Sequence, residues 1–203
     1  MTTVETETKS KNHSTLRIPS RDEFHRHYGG ALYESDFCTC NPVSFGINKG
    51  SVVADKIMTD LYRERKLYLD TERLFARARQ IALQSDYHRE HVGCIAVYKG
   101  KIVGIGCNSE KTHPIQYYYN KYRNNNRNEY FVPKLHAEIN CINSIRHLDI
   151  NFQKVKLYIY RVLNDKPYGI SRPCPSCMAA IKDFGIKNIY YTTDDGYAYE
   201  KIL

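Results

Sequence analysis

Residues 135–196 read LHAEINCINSIRHLDINFQKVKLYIYRVLNDKPYGISRPCPSCMAAIKDFGIKNIYYTTDDG, and their periodicity decides the fold. Leu135, Ile139, Ile142 and Ile145 recur at helical spacing. Residues 155–161, VKLYIYR, are a β-rich run and predict a strand. Pro173 and Pro175 bracket the start of a second helix, which Met178, Ile181 and Phe184 continue and Gly185 ends. Residues 186–193, IKNIYYTT, predict the next strand, closed by Asp194-Asp195-Gly196. Working outward, residues 91–99 (HVGCIAVYK) and 101–108 (KIVGIGCN) predict a hairpin turning at Lys99-Gly100. Ahead of it, Asp70 is a plausible N-cap for a helix with Leu74, Ala78, Ile81 and Ala82 on one apolar stripe. The order is helix, strand, strand, helix, strand, helix, strand. Strands separated by a helix are expected to pair in parallel through a right-handed crossover, so residues 67–203 form an α/β domain.

The chain of 203 residues is long enough to bury a core without disulfides. No apolar run approaches the roughly 18 residues of a spanning helix, and residues 1–20 carry no signal-peptide core, which excludes a membrane role and points to the cytoplasm. Seven cysteines without a secretory signal fit a reducing compartment, where thiols are buried, reactive or metal-bound. Residues 1–20 are polar and predict a flexible tail within an N-terminal extension, 1–66, in which residues 52–67 can hold a helix. His25, His27, Cys38 and Cys40 in that extension are candidate ligands of a second zinc, although surface histidines and buried cysteines explain them as simply. Residues 1–70 carry ten Lys/Arg against ten Asp/Glu, so the net charge of +8 falls entirely on residues 71–203. Such an excess favours an anionic partner, a nucleotide or a nucleic acid.

Two short pieces carry chemistry: His136-Ala137-Glu138 and Pro173-Cys174-Pro175-Ser176-Cys177, each at the start of a predicted helix. His136, Cys174 and Cys177 supply three ligands, which suits a tetrahedral Zn2+ with its fourth position left to water. A helix N-terminus favours thiolate over thiol. In a first turn Glu138 can face the same pocket as His136, accept the proton of the zinc-activated water and return it to a leaving amine. Cys94, Cys107 and Cys141 lie inside predicted elements and are expected in the core.

H-x-E followed by P-C-x-x-C is the known signature of zinc nucleobase deaminases, and from about residue 67 to the end the chain resembles the cytidine/deoxycytidylate deaminase superfamily. The resemblance implies a three-layer cytidine-deaminase-like fold with a mixed central sheet flanked by helices. It implies His136, Cys174 and Cys177 as zinc ligands and Glu138 as proton shuttle. A histidine at 136 is unlike the free-nucleoside enzymes, and the two-residue gap between cysteines is unlike the riboflavin-pathway enzymes. What remains are deoxycytidylate deaminases, tRNA adenosine deaminases and polynucleotide cytosine deaminases.

The substrate side rests on Asn108 and the segment after it. Asn108 matches an asparagine that in similar enzymes contacts the substrate sugar or base. The segment 109–135, SEKTHPIQYYYNKYRNNNRNEYFVPKL, is too polar for core and is long, as in the deoxycytidylate enzymes. Lys111, His113 and Arg123 in it are candidate substrate contacts, Lys111 or Arg123 for phosphate. The resemblance thus implies deamination of a cytosine nucleotide, dCMP to dUMP and ammonia, by a homo-oligomer. A second expectation keeps the chemistry but places the base in RNA or single-stranded DNA, with the Tyr-rich segment and Tyr197-Ala198-Tyr199 as a stacking channel. A third is a zinc-stabilised binding module without turnover. The glycine-rich run of triphosphate-regulated deoxycytidylate deaminases is missing after Asn108, so that regulation is not implied.

Overall fold

The computed structural model describes residues 15–18, 52–123, 133–164, 166 and 168–202. The order of elements is β1 (Thr15–Ile18), α1 (Val52–Ala82), β2 (His91–Tyr98), β3 (Lys101–Cys107), α2 (Pro114–Tyr119), α3 (Ala137–Ile145), β4 (Lys156–Val162), α4 (Pro175–Asp183), β5 (Asn188–Thr193) and β6 (Gly196–Lys201). The strands form one mixed sheet in the order β1-β6-β5-β4-β2-β3. Only β4 and β5 run parallel, with α4 as their crossover. The chain from β3 to β4 also passes through a helix, yet β4 skips β3 and pairs antiparallel with β2. The expected parallel pairing of β3 with β4 is not formed: β4 lies between β2 and β5 in the middle of the sheet, where Leu157 and Ile159 are fully buried.

Alternation on the central strands sorts two apolar faces. Cys94, Ala96, Leu157, Ile159 and Ile189 pack under α3 and α4 with Ile139, Ile142, Ile145, Ala180 and Ile181. Ile95, Val97, Tyr158, Tyr160 and Tyr197 face α1 with Phe75, Ala78 and Ile81. Phe75 stacks on Tyr197 at 3.9 Å and meets Tyr158 edge-on at 5.5 Å. Helices on both faces of one sheet make the three layers expected from the sequence.

Several local expectations change. Asp70 caps nothing: α1 runs unbroken through it, because residues 52–82 contain neither Gly nor Pro and are dominated by good helix formers. The helix therefore crosses the expected boundary at residue 67. Thr15–Ile18, read as part of the polar tail, pairs antiparallel with β6. Residues 197–199 belong to that sixth strand, and Tyr197 is buried in the α1 layer, so it lines no channel. The polar segment after β3 contributes to the core after all, since Gln116 and Tyr119 of α2 are buried. Cys94 and Cys141 are buried as expected, while Cys107 is partly open. The Lys99-Gly100 hairpin turns with both residues at positive φ, 48° and 78°. His25, His27, Cys38 and Cys40 lie outside the described residues.

Two glycines set the spacing of the layers. A Cβ on Gly93 would stand 2.2 Å from the Ala78 carbonyl oxygen of α1, and one on Gly106 would stand 2.3 Å from the Cys141 amide nitrogen and 2.7 Å from the Ala137 oxygen of α3. α3 thus rests directly on the backbone of β3, and Asn140 ties it there by donating to the Cys107 carbonyl at 2.8 Å. Gly106→Ala should push α3 off the sheet and destabilise the fold by about 1–3 kcal/mol, the range for overpacking. Urea unfolding checks this; an unchanged midpoint would show that α3 can retreat without cost.

Candidate active site

The ends of two helices meet over the sheet. His136 is the N-cap of α3 and Cys174 the N-cap of α4; both have extended backbones, and neither side chain caps its own helix. Ser, Asp or Asn would ordinarily occupy such positions and spend the side chain on backbone N–H groups. Here both side chains point across the gap instead. Pro175 at the first helical position needs no N–H partner and puts Cys177 in the first turn.

His136 Nδ1 lies 3.6 Å from Cys174 Sγ and 3.3 Å from Cys177 Sγ. One ligand atom from each of the three residues falls within 4.8 Å of the others. Ideal tetrahedral Zn–N and Zn–S bonds place N and S about 3.6 Å apart, so the set fits a zinc ion. A hydrogen bond from Cys177 and the contact with His136 hold the Cys174 thiol down to about 3, a thiolate ready to ligate, whereas burial pushes Cys177 up. His136, Cys174 and Cys177 are the residues that would hold such an ion.

Glu138, two residues into α3, is 6% exposed and lines the same cavity as His136 and Cys174. Burial pushes its carboxyl above the ordinary range, His136 pulls against this, and the Cys174 thiolate adds to it. Such a group holds a proton more readily than an exposed glutamate does.

The positioning residue that sequence reasoning missed is Gln116. It is fully buried, accepts from the His136 backbone N–H at 3.0 Å and donates to Ser176 Oγ at 3.3 Å, so one amide spans the starts of α3 and α4. Nothing in a Tyr- and Asn-rich stretch marks one glutamine as buried.

Above this floor opens a cavity of about 530 Å3. Asn108 and Arg123 line it; Lys111 and His113 do not. His113 instead caps α2, its Nδ1 accepting from Ile115 N at 3.2 Å. Asn108 is mostly committed to the scaffold. Its Oδ1 accepts from Val92 N at 2.8 Å and Ser85 Oγ at 2.7 Å, and its Nδ2 donates to the Glu90 carbonyl at 2.7 Å. One amide hydrogen is left over. Arg123 Nη1 sits 3.3 Å from His136 Nε2. With Nδ1 given to a metal, Nε2 carries the ring proton and cannot accept, so the Arg123 donors stay available to the cavity.

The remaining rim cations divide by pairing. Arg161 meets Glu90 at 2.7 Å, Lys134 meets Glu110 at 3.0 Å, and Arg172 meets Glu200 at 2.8 Å. Lys134 and then His88 hold the Glu110 carboxyl below its ordinary value. Arg89, absent from the sequence-based candidates, lines the cavity and makes a 3.3 Å contact to the His88 ring. Arg89 and Arg123 are thus the rim arginines without a carboxylate partner among the described residues. No helix of the described residues is long and apolar enough to cross a membrane.

The dCMP deaminase of cyanophage S-TIM5, in apo form, is 24% identical, with 60% of this chain and 80% of that one covered at a TM-score of 0.42. The same enzyme in complex with dCMP and dUMP matches at 24% identity, covering 59% and 78%, with a TM-score of 0.41. A cytidine deaminase from Burkholderia pseudomallei is 16% identical, with coverage of 64% and 91% and a TM-score of 0.45. No curated protein matches the sequence. The family model for the cytidine and deoxycytidylate deaminase zinc-binding region matches residues 69–193. That match spans more than half of the chain and takes in His136, Glu138, Cys174 and Cys177, and the chain belongs to this family of zinc-dependent hydrolases.

Proposed function

We propose that the protein deaminates a cytosine nucleotide, with dCMP as substrate and dUMP and ammonia as products. The observation that carries this is the juxtaposition of Arg89 and Arg123, without carboxylate partners among the described residues, with the His136/Cys174/Cys177/Glu138 floor of one cavity. Its volume of about 530 Å3 lies within the roughly 300–1,000 Å3 usual for small-ligand pockets. Guanidinium groups with no anion of their own suit a phosphate dianion.

Held by the three ligands, zinc supplies Lewis acidity and a water of lowered pKa. Glu138 takes a proton from the attacking water as its oxygen bonds to C4 of the base, and passes it to N3. It then takes the second proton from the new C4 hydroxyl and delivers it to the amine as the C4–N bond breaks, leaving a carbonyl at C4 and releasing ammonia. Asn108 keeps the ends of β2 and β3 together and offers its remaining amide hydrogen to the substrate. Gln116 holds the two ligand-bearing helix starts in register.

A second reading, a base within RNA or single-stranded DNA, draws on one observation: Tyr117, Tyr118 and Tyr122 are exposed by 73%, 55% and 49%. Lys121 Nζ, however, lies 4.0 Å from the centre of the Tyr118 ring and covers a face a base would need.

Mass spectrometry of the zinc-loaded protein with dCMP and, separately, with cytosine- and adenosine-containing single strands separates the two. We expect a gain of about one dalton, the replacement of an amine by a carbonyl oxygen, on dCMP alone; a gain confined to oligonucleotides would overturn the nucleotide assignment. Glu138→Gln should retain wild-type zinc content and lose activity by about 10²–10⁴-fold, the usual contribution of a positioned proton-transfer group. Turnover close to wild type in that metal-loaded variant would remove Glu138 from the mechanism. Gln116→Ala should weaken zinc binding by about tenfold, as loss of outer-shell support does. Competition with a chelator measures this, and unaltered affinity would reduce Gln116 to a packing role.

A further inference from the structure

Arg172 stands apart from the other paired cations at the rim. Arg161 and Lys134 meet carboxylates that are themselves about as open as they are, and such pairs hold geometry weakly. Arg172 meets Glu200, whose side chain is 3% exposed, while its own is 47% exposed and lines the cavity. The contact uses one edge of the guanidinium: Nε donates to Oε2 at 2.8 Å and Nη2 to Oε1 at 2.9 Å. The buried Tyr191 side chain is a further hydrogen-bond partner of the same guanidinium. Of the five guanidinium N–H groups, two go to Glu200 and one to Tyr191, which leaves two donors for a pair of oxygens.

The backbone carrying Arg172 is equally fixed. Ser171 N donates to the Thr192 carbonyl at 2.9 Å, Ser171 Oγ meets the Ile159 carbonyl at 2.9 Å, and Thr192 N donates back to Ser171 Oγ at 2.9 Å. The loop ahead of α4 is thereby tied to both β4 and β5. A guanidinium held at the backbone and along one edge has little rotamer freedom left to lose when a ligand arrives.

We infer that Arg172 is a specificity-determining contact for the phosphate of the substrate, and that Glu200 is the positioning residue that aims it. The inference rests on the nucleotide assignment above and deepens it. Arg89 and Arg123 supply unpaired positive charge, and Arg172 supplies a pre-aimed two-pronged donor. Glu200 cancels the charge of Arg172 at its inner edge, so the contribution is directional more than it is coulombic. Lysine, a point charge on a flexible stem, cannot replace it.

Steady-state kinetics with dCMP and with deoxycytidine, together with equilibrium binding of dUMP, test this on the zinc-loaded full chain. Arg172→Gln should raise KM for dCMP and weaken dUMP binding by about tenfold or more, the loss of charge-assisted hydrogen bonds. The kcat on dCMP and kcat/KM on deoxycytidine should hardly move. Arg172→Lys should not restore dCMP affinity. Glu200→Gln should raise KM for dCMP with zinc content unchanged, because the guanidinium is then less firmly aimed. Arg172→Gln leaves Glu200 buried without its cation and can impair folding. The double variant Arg172→Gln/Glu200→Gln removes that charge and should fold with the same selectivity loss. Equal losses on both substrates in the double variant, or unaltered KM for dCMP and dUMP affinity, would overturn the inference while leaving the nucleotide assignment standing. A wild-type protein that acts only on other substrates would overturn the assignment itself and the phosphate contact with it.

Discussion

Everything at the site depends on how closely α3 can lie on β3. Gly104 and Gly106 remove the side chains that would stand between them: a Cβ on Gly104 would meet Ile145 at 2.2 Å, and one on Gly106 would meet the Cys141 amide at 2.3 Å. The position of α3 fixes the height of its N-cap, His136, above the sheet. The crossover from β4 to β5 independently fixes α4 and its N-cap, Cys174. The two caps come within ligand distance only if both helices sit at the right depth, and Gln116 then bridges them. The metal ligands are therefore a consequence of backbone-to-backbone packing, with glycine on the strand as its condition. Glycine in a strand costs roughly 0.5–1 kcal/mol, less than the strain of forcing a larger residue into so tight a contact.

Two buried carboxylates near the cavity show how environment assigns roles. Glu200 has the Arg172 fork on both oxygens and serves as an anchor. Glu138 has no cation bonded to its carboxylate among the described residues, and burial pushes its carboxyl up. A buried acid that is not locked by a guanidinium can move between its protonated and ionised forms, and proton transfer requires that. The same side chain, at similar depth, is bound by a guanidinium in one place and, among the described residues, free of one in the other, which is what the proton-shuttle role proposed for Glu138 needs.

The fold was legible wherever periodicity and punctuation agreed. Ile139 to Ile145, the Lys99-Gly100 turn, Pro175 at the start of α4 and Gly185 at its end all stand where the sequence placed them, whereas Leu135, read on the same helical stripe, precedes α3 and bridges to Ser109. Legibility failed where a residue's role depends on a partner far along the chain. Asp70 looks like a cap only if the helix is assumed to begin there. The tyrosines of β6 look like surface until Phe75, more than a hundred residues earlier, stacks on Tyr197. The metal ligands were readable because two local motifs carry them. Arg89, Gln116, Arg172 and Glu200 were not, since no local pattern distinguishes a paired rim arginine from an unpaired one, or a buried glutamine from a loop glutamine.

The same dependence on partners decides how the Tyr-rich segment should be weighed. In the sequence its tyrosines are equivalent, and five rings among lysines and arginines look like a groove for stacked bases. In the fold they are not equivalent. Tyr119 is 5% exposed and gives its hydroxyl to Asp183 of α4, and Gln116, on the same face of α2, holds the metal helices together. The inward face of α2 thus belongs to the scaffold, and the exposed rings are what remains on the outward face of a short amphipathic helix. One of them, Tyr118, already has a lysine over it. Tyr119 is therefore accounted for by packing, and Tyr118 and Tyr122 by contact with Lys121, while Tyr117 stays exposed. Among the described residues, the rim arginines without a carboxylate partner, Arg89 and Arg123, line the cavity, and the small anionic substrate proposed above rests on them rather than on the rings of α2.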